Sequence, residues 1–484
     1  MTYRRVINNY LYNAGYQLLA IIVPLITTPY VSRVLHPVGV GDFSYTSSII
    51  QYFVLIAGMG VGYYGNREIA YLRENRYEMS KAFWEIQIVK TFTTIIAFII
   101  FVLFLYWYEH YILYLWIQAI NIIAVAFDIS WLYMGVENFK PTVVRNTIFK
   151  ILSTIMVFIF VRNSNDVGIY ILITALSVIL GNMALWYSLK NIVVKVKLNE
   201  LKPFRHLMPS ISMFIPQVAI QVYVQLNKTM LGAFVGTVSS GYYQYSDNLV
   251  KMVLTIVTAT GTVMLPHVSN AFSKGDTNKV NQMLYRSFDF VSFLAIAMMF
   301  GLAGVSKYLG LMFYGRGFGP VGMAMIIESI VIVLIGWSNV IGTQYLLPTN
   351  KVNSFTVSVT LGAIINIILN VPLIYMWGLY GAMWATVFSE FAVTAYQLWV
   401  VRNSLSMREL FKNFWKYMVA GGIMFSCVIY LELLWKPISI SSITDIVHLC
   451  IIVAVGILVY GIMILLLKPT ILDYAKEILF KRKK

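Results

Sequence analysis

The chain is short of charge. Of its 484 residues only 12% are Asp, Glu, Lys or Arg, whereas 59% are hydrophobic. A soluble chain carries about 25% charged residues. This one could not cover a water-facing surface, and lipid is the solvent that suits it. Cysteine is nearly absent: Cys427 and Cys450 are the only two. They lie in late apolar stretches without metal-ligand spacing, so no disulfide framework is implied and both read as packing residues. There is no GxxxxGK phosphate loop, no HExxH and no CxxC. No ATP motor is expected within the chain, nor a metal, nor a resident cofactor. Loops between apolar runs on the outer side are too short to fold into a catalytic domain, which counts against a polysaccharide-assembly enzyme.

What the sequence has in abundance is apolar runs. A helix needs about 20 such residues to cross a hydrocarbon core of about 30 Å. Runs of that kind fall near 10–33, 42–63, 82–106, 111–134, 142–162, 167–190, 207–231, 242–265, 287–306, 321–347, 352–375, 379–401, 414–434 and 445–467. The expected fold is an all-α polytopic membrane protein with about fourteen transmembrane helices. The first run is longer than the apolar core of a signal peptide and has no small-residue cleavage site, so it reads as a retained span.

The formal net charge is +16. With the N-terminus placed inside, 27 of the 36 Lys and Arg fall in cytoplasmic segments, 5 fall outside and 4 lie within spans. Positive charge collects on the cytoplasmic side of membrane proteins, so the excess reflects topology and not a nucleic-acid partner, and both termini are expected in the cytoplasm. The tail, 468–484, ends in KRKK and is expected to lie as a basic amphipathic segment on the anionic inner leaflet.

Spans 1–6 and 7–12 read as two copies of one unit. An offset of 200 pairs Gly41 with Gly241, Phe43 with Tyr243, Tyr45 with Tyr245 and Ile49 with Leu249. VGIY before span 6 pairs with WGLY before span 12. Six spans per copy is an even number, so the copies share one orientation and are expected as two pseudo-symmetric six-helix bundles. The domains are then 1–190, a cytoplasmic linker 191–206, a second bundle 207–401, helices 13 and 14 over 402–467, and the tail. Span 1 holds Pro24 and Pro29; span 7 holds Pro209 and Pro216. Proline frees a carbonyl that lipid cannot satisfy, so matching kinks in both halves point to a wet cavity.

Charges within spans are costly and normally face the bundle interior. Lys251 lies deep in span 8, with Asp247 four residues earlier on the same face. The pair reads either as a phosphate site tuned by Asp247 or as a neutralised structural pair. Lys228 and its neighbour Asn227 in span 7, Arg33 at the end of span 1 and Gln51 in span 2 complete the substrate-binding candidates. Asp247, Glu328 and Glu390 are candidates for coupling to a proton or sodium gradient. Lys90, Lys150 and Asp128 are read mainly as helix-joining charges.

The runs NYLYNAGYQLLAIIVPLITTPYVSRVL, SYTSSIIQYFVLIAGMGVGYYGNREIA and DISWLYMGVENFK, with GTQYLLPTNK and WGLYGAMWAT later, resemble Wzx/RfbX-type polysaccharide flippases of the multidrug/oligosaccharidyl-lipid/polysaccharide exporter superfamily. The likeness covers spans 1–12. It implies two bundles in a V, a cavity lined by helices 1, 2, 7 and 8, and an undecaprenyl-pyrophosphate oligosaccharide as cargo. Implied partners are membrane lipids, a polysaccharide polymerase and chain-length proteins, and the implied location is the bacterial cytoplasmic membrane. Arg33 and Lys251 match positions where related proteins offer cations. His36 departs from the family, which usually has Gly there. The rivals are an organic-cation antiporter of the same fold, a membrane-embedded assembly enzyme and a non-transporting scaffold.

Overall fold

A computed structural model describes the backbone of residues 3–434 and 443–474, with side chains from Ile22 onward except residue 443 and some within 215–223 and 260–267. All described regular structure is helical. The elements are α1 (Tyr3–Gly58), α2 (Val61–Leu72), α3 (Arg76–Trp107), α4 (Ile112–Gln118), α5 (Ile120–Phe127), α6 (Ser130–Gly135), α7 (Lys140–Phe160) and α8 (Val167–Tyr187). They continue with α9 (Leu207–Phe234), α10 (Thr237–Ser273), α11 (Thr277–Tyr314), α12 (Gly319–Glu328), α13 (Ile330–Ser338), a π-helical turn (Asn339–Leu346), α14 (Val352–Trp377), α15 (Leu379–Val401), α16 (Met407–Leu410), α17 (Phe414–Leu434) and α18 (Ile443–Leu467). Every stretch expected to span falls on helix, in order. Among the described residues nine helices are long and apolar enough to cross a membrane, or ten with the pair Arg316–Glu328 and Ile330–Leu346, bent by 43°.

Local chemistry sets the helix ends. Asn75 accepts from the backbone N–H of Tyr77 and Glu78 at 3.1 and 3.2 Å, and Glu78 adds a negative charge to the first turn of α3. Asp276 caps α11 through the Lys279 N–H at 3.0 Å.

Four readings are corrected. No loop spans 34–41: the chain breaks only at His36 (φ 57, ψ 174) and resumes helix at once. Span 4 is three short helices and not one, with interruptions at Ala119 and at Asp128–Ile129. Pro209 makes no kink, because α9 starts at Leu207 and a first-turn N–H has no helical partner to lose; the Pro216 side chain lies outside the described residues. Of the cysteines, Cys427 is half-buried but Cys450 is exposed on α18. The tail is described only to residue 474, where Thr470 Oγ1 donates to Asp289 and the Arg286 guanidinium lies 4.9 Å above the Tyr474 ring.

The break in span 4 shows how the fold handles backbone inside lipid. An interrupted helix leaves carbonyls without N–H partners, and hydrocarbon offers none. Side chains supply them. Asn182 Nδ2 donates to Ala124 O at 2.7 Å and Gln87 Nε2 to Ala126 O at 2.6 Å. Trp186 Nε1 reaches Phe127 O at 2.8 Å, and Lys90 Nζ reaches Asp128 O at 2.5 Å. Lys90 is also 3.7 Å from the Asp128 carboxylate.

The chain forms two compact units, Met1–Gly232 and Ala233–Lys484. The repeat opens its second copy with α9, yet by packing α9 lies with the first unit. Thr229 bonds Ser48 at 2.9 Å and Tyr52 at 3.2 Å, and Gly232 fits against the Tyr45 ring with no room for a Cβ. In the second unit, Asp289 of α11 accepts from Asn413 and Tyr417 at 3.0 and 2.9 Å, which ties α17 to α11.

Candidate functional site

In the second unit a chain of polar groups links α10 to α12. Lys251 Nζ donates to Asp247 Oδ2 at 2.7 Å, one helical turn away. Ser246 Oγ donates to Glu328 Oε2 at 2.7 Å. Glu328 and Glu390 of α15 add their charges to the field around Lys251. Glu328 stands at the C-terminus of α12, where the span bends. It is buried (2% exposed), whereas the Lys251 side chain is 49% exposed and Asp247 15%. Lys251 stands about 21 Å along α10 from Thr237, well inside the helix. Of the two readings weighed for Lys251 and Asp247, the pairing is present, and the Lys251 side chain is half exposed.

The first unit builds the same frame with neutral residues. At an offset of 200 the burial agrees at the two positions beside the site: Tyr45 and Tyr245 are both 5% exposed, and Thr46 and Ser246 are both fully buried. Thr46 receives a hydrogen bond from Gln118 Nε2 of α4 at 2.7 Å, where Ser246 bonds Glu328 of α12. Tyr108 OH donates to Tyr45 OH at 3.0 Å, and Tyr314 OH to the Tyr245 carbonyl at 2.9 Å. The counterparts of Asp247, Lys251 and Glu328 are thus Ser47, Gln51 and Gln118. Gly236 (φ 122, ψ 156) is likewise the counterpart of His36.

The remaining candidates lie in the first unit. Arg33 is exposed, with Nη1 donating to the Pro29 carbonyl at 3.1 Å. Gln51 and Lys228 are half-buried and Asn227 is buried. Among the described residues no group of three or more His, Cys, Asp or Glu could hold a metal.

One cluster escaped the sequence reading. Glu85 of α3 is fully buried and accepts from the Lys202 N–H at 2.7 Å, Arg205 Nη2 at 2.6 Å and Nε at 2.9 Å, and it bonds His206 Nε2 at 2.8 Å. Tyr64 OH meets His206 Nδ1 at 2.6 Å. The cluster fastens the segment before α9 to α3 and α2. The available signal was a lone glutamate in an apolar span facing an Arg-His pair in the linker, but Arg205 was counted only for topology.

Comparison with known proteins adds a family to this geometry. The model of the polysaccharide biosynthesis protein family matches residues 6–272, more than half of the chain. The chain belongs to that family. This polysaccharide biosynthesis protein is 23% identical to a proposed O-antigen transporter of Shigella dysenteriae over 396 residues, covering 78% of this chain and 96% of the relative. It is 25% identical to the lipid II flippase MurJ of Bacillus subtilis over 184 residues, 37% of this chain and 34% of that one. A solved structure of the lipid II flippase MurJ in an inward-closed conformation shares the fold, with a TM-score of 0.74, 18% identity and coverage of 94% of this chain and 98% of that one. An inward-facing multidrug-resistance MATE transporter of the MOP superfamily follows at 0.63 and 12% identity, covering 82% and 94%. The likeness to Wzx/RfbX-type flippases carried by the sequence motifs is borne out, and the family member is a multi-pass membrane protein.

Proposed function

We propose that this protein carries an undecaprenyl-pyrophosphate-linked oligosaccharide from the cytoplasmic to the outer leaflet of the bacterial cytoplasmic membrane, for assembly of a surface polysaccharide. It acts without an ATPase, by alternating access of its two units, with both termini in the cytoplasm. The observation that carries the reading, beside family membership, is the half-exposed Lys251 side chain well inside α10, which holds the stretch expected as span 8. A charge at the bilayer centre costs at least about 2.5–3.5 kcal/mol, so a half-exposed lysine there faces water and not lipid. A hydrated cation at that depth offers the pyrophosphate a counter-charge along its route. Arg33, exposed on the first unit, is a second cation candidate for the phosphate, with Asn227, Lys228 and Gln51 of that unit as further polar candidates. An inside-negative potential adds about 2.3 kcal/mol per outward-moving negative charge per 100 mV, and a proton or sodium gradient taken up at Glu390 would supply more. A polymerase and chain-length proteins would receive the product.

The organic-cation antiporter has one observation in its favour: Asp247, Glu328 and Glu390 outnumber Lys251 around that site. The two readings part under mutation. In cells carrying Lys251→Ala or Arg33→Ala the protein is expected to insert normally, surface polymer to disappear and lipid-linked repeat units to accumulate. Wild-type polymer from both variants would reject the site, and efflux of organic cations by the wild-type protein would favour the antiporter.

A further inference from the structure

In the first unit α9 touches α1, and the turn after it, at successive levels. Gly232 fits on the Tyr45 ring, Thr229 Oγ1 bonds Ser48 Oγ at 2.9 Å and Tyr52 OH at 3.2 Å, and Gly60 meets the backbone of Ser210 and Phe214. The numbers rise on one helix as they fall on the other, so the two run antiparallel and Tyr52 stands near the level of Gln225. Hydroxyls make this joint, as they do between many spans in lipid. The carboxamides beside them take no part in it. Gln221 and Gln225 precede Thr229 at successive turns of α9 and share its face, and Gln51 precedes Tyr52 on α1. The Gln225 side chain is 8% exposed, and its carboxamide oxygen has no hydrogen-bond partner among the described residues. Gln221 is exposed and Gln51 half-buried. Gln51 stands about 14 Å along α1 from Asp42, and Gln225 about 14 Å along α9 from Phe234. Hydrocarbon at that depth gives an amide no partner, so these groups need water or a polar ligand.

The side-chain chemistry selects the ligand. A carboxamide accepts through its oxygen and donates through its nitrogen. A sugar hydroxyl also does both, so the two match without any charge. The half-buried Tyr52 ring adds an apolar face for the C–H groups of a sugar ring. A pyrophosphate calls instead for cations, and Lys228 is the only charged residue of α9.

We infer that the amide face of the first unit, Gln51, Gln221 and Gln225 with Tyr52, is a subsite for a sugar residue of the cargo, distinct from the cations that take the pyrophosphate. The inference rests on the reading of the protein as a carrier of a lipid-linked oligosaccharide. It makes these amides determinants of which glycan is carried.

The test uses full-length protein in nanodiscs and two probes: bare undecaprenyl pyrophosphate, and the lipid-linked repeat unit purified from cells that lack this protein and accumulate it. Wild-type protein should bind the glycosylated probe at least about tenfold more tightly than the bare carrier. The double variant Gln221→Leu/Gln225→Leu should bind the two probes within about twofold of each other, with its affinity for the bare carrier within about twofold of wild type. Its unfolding midpoint without ligand should not fall, because leucine at 225 removes an oxygen that has no partner. Thr229→Val, which breaks the joint itself, should lower the midpoint. A double variant that keeps the preference, one that loses affinity for both probes alike, or one whose midpoint falls as far as that of Thr229→Val would each overturn the inference. So would a wild-type protein that binds both probes equally. A wild-type protein that binds neither probe would instead reject the carrier reading beneath it.

Discussion

The backbone at His36 offers a test of the fold that needs no substrate. With φ 57 and ψ 174 it occupies a region essentially reserved for glycine, and the side chain is exposed, so a substitution loses no packing. Holding a non-glycine residue there costs about 1–3 kcal/mol. Glycine would release that strain but add freedom to the unfolded chain, worth about 0.5–1 kcal/mol. His36→Gly should therefore stabilise the first unit by about 1 kcal/mol. Gly236 provides the mirror experiment. It has φ 122 and ψ 156, and a Cβ there would meet nothing within 4 Å. Gly236→Ala carries the backbone cost alone, and the same arithmetic makes it destabilising by about 1–2 kcal/mol. Thermal unfolding of the full chain in detergent should show opposite shifts, each about 1–3 °C. A lower midpoint for His36→Gly, or no change for Gly236→Ala, would refute the assignment of both sites as matched helix breaks that only glycine adopts without strain.

Two further substitutions probe the buried polar groups. Lys90→Met removes the donor to the Asp128 carbonyl and the partner of its carboxylate; since Asp128 is 35% exposed, the expected loss is near the low end for a broken pair, about 3 kcal/mol, with much of it recovered in the double variant Lys90→Met/Asp128→Asn. Denaturation midpoints of the single and double variants check this, and equal losses in both would contradict it. Glu85→Ala strips the segment before α9 of its anchor, at a cost of about 2–4 kcal/mol, and should speed tryptic cleavage after Arg205, whose side chain is exposed but whose backbone the anchor holds. An unchanged cleavage rate would show that the segment is held by other means.

The sequence made the helices legible because each apolar run is long and bounded by charge, so composition alone places them. The same averaging hides what happens inside a run. Span 4 reads as one stretch because ILYLWIQAINIIAVAFDIS is predominantly apolar, and the donors that permit its breaks, Gln87, Lys90, Asn182 and Trp186, come from other helices. Pro209 was misread because its effect depends on where the helix begins. Glu85 was missed because its partners lie about 120 residues away and look like topological charge. At the site, Asp247 and Lys251 were legible from their spacing on one helix. The contact of Glu328 with Ser246 was not, since it depends on the bend between α12 and α13. The match of Gln118 to Glu328 became visible only when hydrogen bonds, and not letters, were compared between the copies.

The most direct measurement is flipping itself. Purified protein in liposomes containing a fluorescent undecaprenyl-pyrophosphate sugar, read by the fraction of label accessible to an impermeant quencher, should move label across the bilayer faster than protein-free liposomes do. The rate should rise when a potential favours movement of the anion and fall to the background in Lys251→Ala. Liposomes with wild-type protein that match the protein-free rate, or a Lys251→Ala variant that matches the wild type, would contradict the account.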